Sequence, residues 1–249
     1  MRKILLILMN IYFYVLFLIA SAIVIPLLSL FVFLLTLFVS KRTVMKRFRR
    51  CISWYGIVMT SVPFPFIRIN YEDHSGESSD RSNIFVCNHR AATDAFLMCV
   101  LPLEVVQVVN IWPFRIPVLG RFARMAEYLD IRNMSTEDFN EKAMVLLDEG
   151  VSIIFFPEGT RSGNREIGPF HGSAFRLALS SKAPIVPLCI SGNENIPPKG
   201  SLLLHPGIIR VRRLPAICWE EYKDSSVFSL KNRVREVINN ELSLMECKT

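Results

Sequence analysis

The most restrictive feature of the sequence is an uncharged run of 36 residues from Ile4 to Val39. Its apolar character is interrupted only by Asn10, Ser21, Pro26, Ser29 and Thr36. A helix that crosses a membrane needs about 20 residues, so the run is too long for one span. Proline removes a backbone donor and clashes with the preceding helical turn. We therefore predict two helices, roughly residues 4–24 and 27–39, that meet near Pro26.

The basic residues lie mainly around this run. Residues 1–50 contain eight Lys or Arg and no acidic residue, and the remainder contains 21 basic and 22 acidic residues, so the net charge of +7 belongs to the N-terminal part. A nucleic-acid-binding domain would spread basic residues over a folded face, so that class is disfavoured. Basic flanks prefer the cytoplasmic side. The run is thus predicted to form a hairpin that crosses twice or, because its second arm is short, dips in and returns.

A cleavable signal peptide is the alternative for this run. Arg2-Lys3 would be its charged start, and Ala20-Ser21-Ala22 resembles a cleavage site. The 17 uncharged, mostly apolar residues that follow Ala22 disfavour cleavage.

The next segment, residues 41–55, has apolar residues at helical spacing on one face: Val44, Met45, Phe48, Cys51, Ile52 and Tyr55. Basic residues occupy the other face, which is typical of a helix in the headgroup layer of an anionic membrane; an ordinary solvated helix would show the same pattern. We expect a membrane segment at residues 1–60 and a folded domain at 61–249. We expect that domain on the cytoplasmic face.

Beyond residue 60 the chain alternates between short apolar runs and helical patterns. The predicted strands are 83–87, 105–109, 152–156, 185–190 and 208–212, and the predicted helices are 93–101, part of 117–126, 136–149, 173–181 and 229–244. This alternation predicts an α/β domain with a largely parallel sheet flanked by helices. Ligands bind such sheets at the carboxyl ends of the strands, so the chemistry is expected there.

Two predicted strand ends carry reactive side chains. The first strand is followed by His89 and, five residues later, by Asp94. A carboxylate that accepts from one imidazole nitrogen leaves the other nitrogen free to act as a base. The third strand is followed by Phe156-Pro157-Glu158-Gly159-Thr160-Arg161-Ser162. Glycine permits a tight turn whose amides face an anion, and arginine offers a bidentate fork for phosphate. Either segment alone is also compatible with a purely structural role.

Together the two segments resemble the first and third motifs of the glycerolipid (lysophospholipid) acyltransferase family. Residues 116–120, followed by Arg132, are similar to its second motif, Pro169-Phe170 continues the third, and residues 185–188 are similar to the fourth. The resemblance covers residues 70–215. The N-terminal hairpin also suits bacterial members of the family, which implies the inner membrane.

The resemblance implies a role for each matched residue. His89 would be the general base on an acceptor hydroxyl and Asp94 its partner. Glu158, Gly159, Thr160, Arg161 and Arg132 would bind the acceptor. The hydroxyl, of a lysophospholipid such as 1-acylglycerol-3-phosphate, would attack the thioester of acyl-CoA or acyl carrier protein as cosubstrate. The resemblance implies no metal, no further cofactor and no nucleic acid, and leaves the oligomeric state open.

Two departures from the family pattern bear on the acceptor. Asn110 and Ile111 stand where the family usually has a lysine, and His171 and Gly172 stand where it often has basic residues. A different lysolipid or hydroxyl acceptor is therefore one alternative. A lipid esterase is another, although no G-x-S-x-G motif occurs and Ser173 lacks that pattern. A membrane-anchored binding protein without catalytic activity is a third, disfavoured because both motifs are intact.

Overall fold

The computed structural model describes residues 2–76, 82–101, 103–110, 118–162 and 165–247. The helices of these ranges are α1 (Arg2–Leu35), α2 (Lys41–Ser61), α3 (Asp94–Leu97), α4 (Leu119–Met125), α5 (Thr136–Asp148), α6 (Ser173–Ser181), α7 (Trp219–Tyr222) and α8 (Val227–Cys247). A 3-10 turn, Met98–Val100, follows α3. The strands are β1 (Ile67–Asp73), β2 (Ile84–Cys87), β3 (Val105–Val109), β4 (Leu129–Asp130), β5 (Ser152–Phe155), β6 (Ile185–Ser191) and β7 (Gly207–Arg213).

The described strands form one seven-stranded sheet in the order β1-β7-β6-β2-β5-β3-β4. Strand β2 pairs in parallel with β5 and β6, β3 pairs in parallel with β5 and β4, and β6 pairs antiparallel with β7. The predicted mostly parallel α/β sheet with flanking helices is confirmed. All five predicted strands are present, together with β1 and β4, which were not predicted.

The chain divides into two compact units. The first comprises Met1–Asn70, Ala91–Pro102 and Gly192–Ile209, and the second comprises Tyr71–Arg90, Leu103–Ser191 and Arg210–Thr249. The predicted division into residues 1–60 and 61–249 stays a prediction.

In the first unit, the predicted break at Pro26 is wrong. Helix α1 is continuous through Pro26 and ends at Leu35, so the hairpin forms between α1 and α2. The local cost of an internal proline is about 3 kcal/mol, and tertiary packing offsets it. Close to the proline, the Ser21 hydroxyl lies 2.9 Å from the Tyr55 hydroxyl and 3.8 Å from the Met59 sulfur of α2.

Helix α2 also packs against the segment after α3. A Cβ atom at Gly56 would overlap the Cys99 side chain. Glycine at position 56 is therefore what lets α2 approach Cys99 this closely.

The core of the second unit lies between the sheet and helices α5, α6 and α8. Strands β2, β5 and β6 are buried along their whole length, as expected for central strands of a parallel sheet. Residues close in the sequence mark both ends of α5. At its start the Ser135 side chain accepts a hydrogen bond from the Asp138 amide, and after its end Gly150 has a φ of 81°. Apolar residues of α8 at helical spacing are fully buried, including Leu230, Val234 and Ile238.

Candidate active site

The first and third motifs follow two neighbouring strands of the sheet, β2 and β5. Strands β2 and β5 run parallel, with Ile84 opposite Ile153 and Val86 opposite Phe155. Their carboxyl ends therefore meet at one edge of the sheet. As a result, the segment that follows each strand starts beside the other.

Asn88 fixes the point at which the chain leaves β2. Its side-chain amide donates to the Ile190 carbonyl at 2.9 Å, and its side-chain oxygen accepts from the Ile190 amide at 2.8 Å. Asn88 has no exposed surface. This reciprocal pair extends the contact between β2 and β6 by one residue and sets the direction in which His89 follows.

The motif after β5 binds the backbone of His89 on both sides. The His89 amide donates to Glu158 Oε1 at 2.7 Å, and the His89 carbonyl accepts from the Ser162 amide at 2.9 Å. The imidazole ring packs on Phe156 with 4.7 Å between ring centroids. His89 is half-buried. The loop after β5 thus positions the candidate base through its backbone and its ring.

Glu158 uses both carboxylate oxygens on backbone amides. In addition to the His89 amide, the Gly168 amide donates to Glu158 Oε2 at 2.9 Å. The residue is 8% exposed. Burial raises the pKa of the Glu158 carboxyl, and the hydrogen bonds from the His89 and Gly168 amides oppose that rise. This arrangement connects three parts of the loop network rather than presenting the carboxylate to solvent.

Gly159 occupies a backbone conformation that only glycine adopts easily. Its φ is 70°, and a Cβ atom here would lie 3.0 Å from Cδ2 of His171. His171 therefore packs directly on the turn. Thr160 is exposed and Arg161 is partly exposed beside it.

Arg132 lies apart from the other predicted acceptor residues. It follows β4, which is separated from β5 by β3, and its side chain is exposed. Its backbone amide donates to Asp130 Oδ1 at 3.1 Å. The structure therefore does not bring Arg132 into the group formed around β2 and β5. Residues 111 and 116–117 of the second motif lie outside the described residues.

Asp94 belongs to the first unit and is fully buried. Its Oδ2 accepts from the Ala91 amide at 3.0 Å, and its Oδ1 accepts from the side-chain amide of Asn193. These two donors hold the Asp94 side chain in one orientation.

The described residues contain no group of three or more His, Cys, Asp or Glu side chains arranged to hold a metal ion.

A family model described as "Acyltransferase" matches residues 68–191. The chain is 28% identical over 196 residues to the 1-acyl-sn-glycerol-3-phosphate acyltransferase of Limnanthes alba, covering 69% of this chain and 70% of the relative. It is 33% identical over 153 residues to the chloroplastic 1-acyl-sn-glycerol-3-phosphate acyltransferase LPAT1 of Arabidopsis thaliana, covering 59% and 43%. The chain belongs to the acyltransferase family.

The fold is similar to that of a solved family member. The crystal structure of the 1-acyl-sn-glycerophosphate acyltransferase PlsC from Thermotoga maritima matches with a TM-score of 0.81 and 23% identity, covering 99% of this chain and 98% of that chain. The match shows that this chain has the same fold as that structure.

Two residues that contact the candidate site were not predicted from the sequence. Asn193 binds Asp94 from 99 positions away, and no local pattern marks it. Arg90 follows His89 directly and is 2% exposed; its guanidinium donates to Glu246 of α8 at 2.5 Å and to the Arg165 carbonyl at 2.6 Å. A charged residue just after a buried apolar strand is a signal that could have identified Arg90, because buried charges are paired.

Proposed function

We propose that the protein transfers a fatty acyl group from acyl-CoA or acyl carrier protein to the hydroxyl of 1-acylglycerol-3-phosphate, giving phosphatidic acid. The observation that carries the proposal is the position of His89. Its backbone is held by Glu158 and Ser162 and its ring by Phe156, so that a partly exposed imidazole lies at the carboxyl edge of the sheet. The two plant relatives, which are named as 1-acyl-sn-glycerol-3-phosphate acyltransferases, support the choice of acceptor.

In the proposed reaction, His89 accepts the proton of the acceptor hydroxyl. The oxygen forms a bond to the thioester carbonyl carbon, and the carbon–sulfur bond then breaks. The departing thiolate receives the proton from the imidazolium. Asp94 holds the imidazole tautomer and stabilises the imidazolium, as carboxylates do in related arrangements. The two hydrogen bonds to Asp94 support this role because they hold its carboxylate in one orientation.

The acceptor phosphate is proposed to bind at the turn after β5. Arg161 supplies a bidentate donor, Thr160 a hydroxyl, and Gly159 the close approach of backbone. Glu158 acts through the His89 backbone instead of contacting the acceptor, since both of its oxygens already accept from amides. Arg132 is retained as a predicted acceptor contact on the family resemblance alone.

A second acceptor class is favoured by one specific observation. His171, which packs on Gly159, stands where the family often has a basic residue. Fewer permanent cations weaken binding of a doubly charged phosphomonoester most. A lysolipid with a phosphodiester headgroup is therefore the alternative acceptor.

Helices α1 and α2 are proposed to attach the protein to the cytoplasmic leaflet of the membrane. Helix α1 contains a stretch, Lys3–Leu35, long and apolar enough to cross a membrane. However, α2 returns along α1 and carries six basic residues between Lys41 and Arg50. A crossing α1 would place this basic half of α2 on the opposite side of the membrane from the basic start of α1, whereas an α1 that lies along the leaflet keeps both among the headgroups of the cytoplasmic side. Cysteines introduced at positions 2 and 42 should both be labelled only from the cytoplasmic side, and external labelling of either would exclude this topology.

The reaction is tested with the purified protein, labelled acyl-CoA or acyl carrier protein, and a panel of lysolipids. Thiol release should require the lysolipid, whereas an esterase would release thiol without it. His89→Ala should lower turnover by about 10²–10⁴-fold. His74→Ala, which removes an exposed histidine, is the matched control and should retain activity. Near-normal turnover of a folded His89→Ala variant would refute the mechanism.

The acceptor panel separates the two substrate classes. The proposal expects a higher kcat/KM for lysophosphatidate than for any phosphodiester lysolipid. The reverse order would assign the enzyme to the alternative acceptor class. Ser173→Ala should leave turnover unchanged, because no serine nucleophile takes part.

A further inference from the structure

Helix α1 contains a single buried amide that binds a distant loop. Asn10 is 3% exposed, and its side-chain oxygen accepts from the Leu204 amide at 2.8 Å. Its side-chain NH2 donates to the Leu204 carbonyl at 2.9 Å and to the Leu6 carbonyl at 2.9 Å. One turn later, the Tyr14 hydroxyl donates to the Leu202 carbonyl. The one asparagine of this apolar helix is thus bonded to residues 202–204.

The rest of α1 remains apolar and exposed. Its outward residues include Ile7, Ile11 and Leu18, with 47%, 55% and 64% of their surface exposed. A helix that is apolar on every side faces either protein or lipid. Since only one stripe of α1 is covered, its outer surface fits lipid.

The loop held by Asn10, residues 201–204, continues this apolar surface. Leu202 is 77% exposed and Leu203 is 39% exposed. Irregular backbone is normally excluded from lipid because its polar groups lack partners. In this loop the Leu204 amide and carbonyl and the Leu202 carbonyl are bonded to α1, and the Leu203 amide donates to the Ser201 hydroxyl at 3.0 Å. The α1 side chains therefore remove much of the cost of placing this backbone beside lipid.

We propose that residues 201–204 form a second membrane-contact element, which places Leu202 and Leu203 in the acyl-chain region of the leaflet beside α1. The partner is the lipid bilayer itself. Asn10 and Tyr14 are the residues that hold the loop at this depth. The inference rests on the proposed attachment of α1 to the membrane.

The same segment also reaches the proposed catalytic residues. Asn193, which binds Asp94, lies eight positions before Ser201, and the Thr93 hydroxyl donates to the Ile196 carbonyl at 2.9 Å. The loop thus connects the lipid contact to the segment that carries Asp94. The depth to which Leu202 and Leu203 enter the leaflet would then set the depth at which the segment carrying Asp94 reaches an acceptor in the bilayer.

The test uses a polarity-sensitive fluorophore on single introduced cysteines in the full-length protein. Cys51, Cys218 and Cys247 are replaced by serine because they are at least partly exposed, and the buried cysteines are retained. Burial raises the pKa of Cys99 to about 12, so it reacts slowly. The parent without an introduced cysteine measures residual labelling.

Probes are placed at Leu202, at Leu18 of α1 and at Val145 of α5, all exposed apolar positions. With vesicles containing lipids brominated on the acyl chain, we expect quenching at positions 202 and 18 but not at 145. Quenching at 18 with none at 202 would overturn this inference and leave the membrane attachment intact. No quenching at 18 would overturn the attachment and, with it, this inference.

The bonds between Asn10 and Leu204, which we call the tether, are tested by Asn10→Leu, which keeps α1 apolar. We expect the probe at 202 to lose its quenching while the probe at 18 retains it. Unchanged quenching at 202 would exclude the tether. A Leu202→Ser, Leu203→Ser double variant should raise the KM for a lysolipid presented in vesicles several-fold with kcat unchanged; a KM equal to that of the parent would contradict the proposed lipid contact.

Discussion

Replacing Glu158 by glutamine tests whether this residue positions the catalytic histidine or contacts the acceptor. In the native site the two carboxylate oxygens accept from the His89 amide at 2.7 Å and the Gly168 amide at 2.9 Å. Glutamine has one acceptor oxygen, so Glu158→Gln retains one of these bonds and turns an NH2 group toward the other amide. A buried donor left without a partner costs about 1–3 kcal/mol.

This cost translates into a measurable loss of stability. Taking about 2 kcal/mol, and about 2–4 °C of Tm for each kcal/mol in a chain of this size, we expect the Tm of Glu158→Gln to fall by about 4–8 °C. Because burial raises the pKa of Glu158, its contribution to stability is fullest below the ordinary carboxyl pKa and is lost as the pH rises through the raised value. The Tm difference should therefore narrow as the pH increases.

Activity should fall together with stability. A displacement of about 1 Å can reduce the rate by about 10²-fold, so we expect a lower kcat in Glu158→Gln with little change in the KM for the acceptor. The measurements are thermal unfolding in detergent and steady-state kinetics with varied lysolipid. Glu166→Gln removes an exposed carboxylate nearby and is the matched control; its stability should change by no more than about 0.5 kcal/mol. An unchanged Tm and kcat with a raised acceptor KM would show that Glu158 contacts the acceptor.

Three further substitutions test other contacts. Asn193→Ala removes a donor to Asp94 and should lower kcat at unchanged acceptor KM. Thr93→Val removes another bond to the same segment and should not lower kcat. Equal losses in both variants would show that the bonds act only by holding this segment in place, and not through Asp94. Glu246→Gln removes the carboxylate that pairs with the buried Arg90 guanidinium. It should lower the free energy of unfolding by about 3–5 kcal/mol and therefore lower the Tm. A Tm within about 1 °C of the parent would contradict this pairing. Gly159→Ala forces a side chain into a left-handed turn against His171 and should reduce acylation at every lysolipid concentration tested; wild-type kinetics would contradict the need for this turn.

The sequence predicted those parts of the protein that depend on neighbouring residues. The apolar strands β2, β5 and β6 are central and buried on both faces, so each is visible as a short run of Val, Ile and Phe. Helix α5 has its cap and its terminating glycine within the sequence itself. The H-x4-D and F-P-E-G-T-R segments were recognisable because each is contiguous.

The elements that the sequence analysis missed depend on distant partners. Strand β4 has only two residues and exists because it pairs with β3, while β1 lies at the other edge of the sheet and is only partly buried. The predicted break at Pro26 failed for a related reason. A proline weakens a helix locally, but α1 packs against α2 by contacts such as that between Ser21 and Tyr55, and such long-range contacts cannot be read from the local sequence.

The sequence by itself therefore determined the class of fold, the membrane-seeking N-terminal segment and the candidate base, because charge-free length, periodicity and contiguous motifs are local properties. Only the tertiary structure decided what each polar side chain bonds to. Glu158 meets the His89 amide across 69 positions, Asn193 meets Asp94 across 99, and Asn10 meets Leu204 across 194. Such pairs form because a buried polar group needs a hydrogen-bond partner, and the fold determines which distant residue supplies it. The local sequence around either residue does not identify the other.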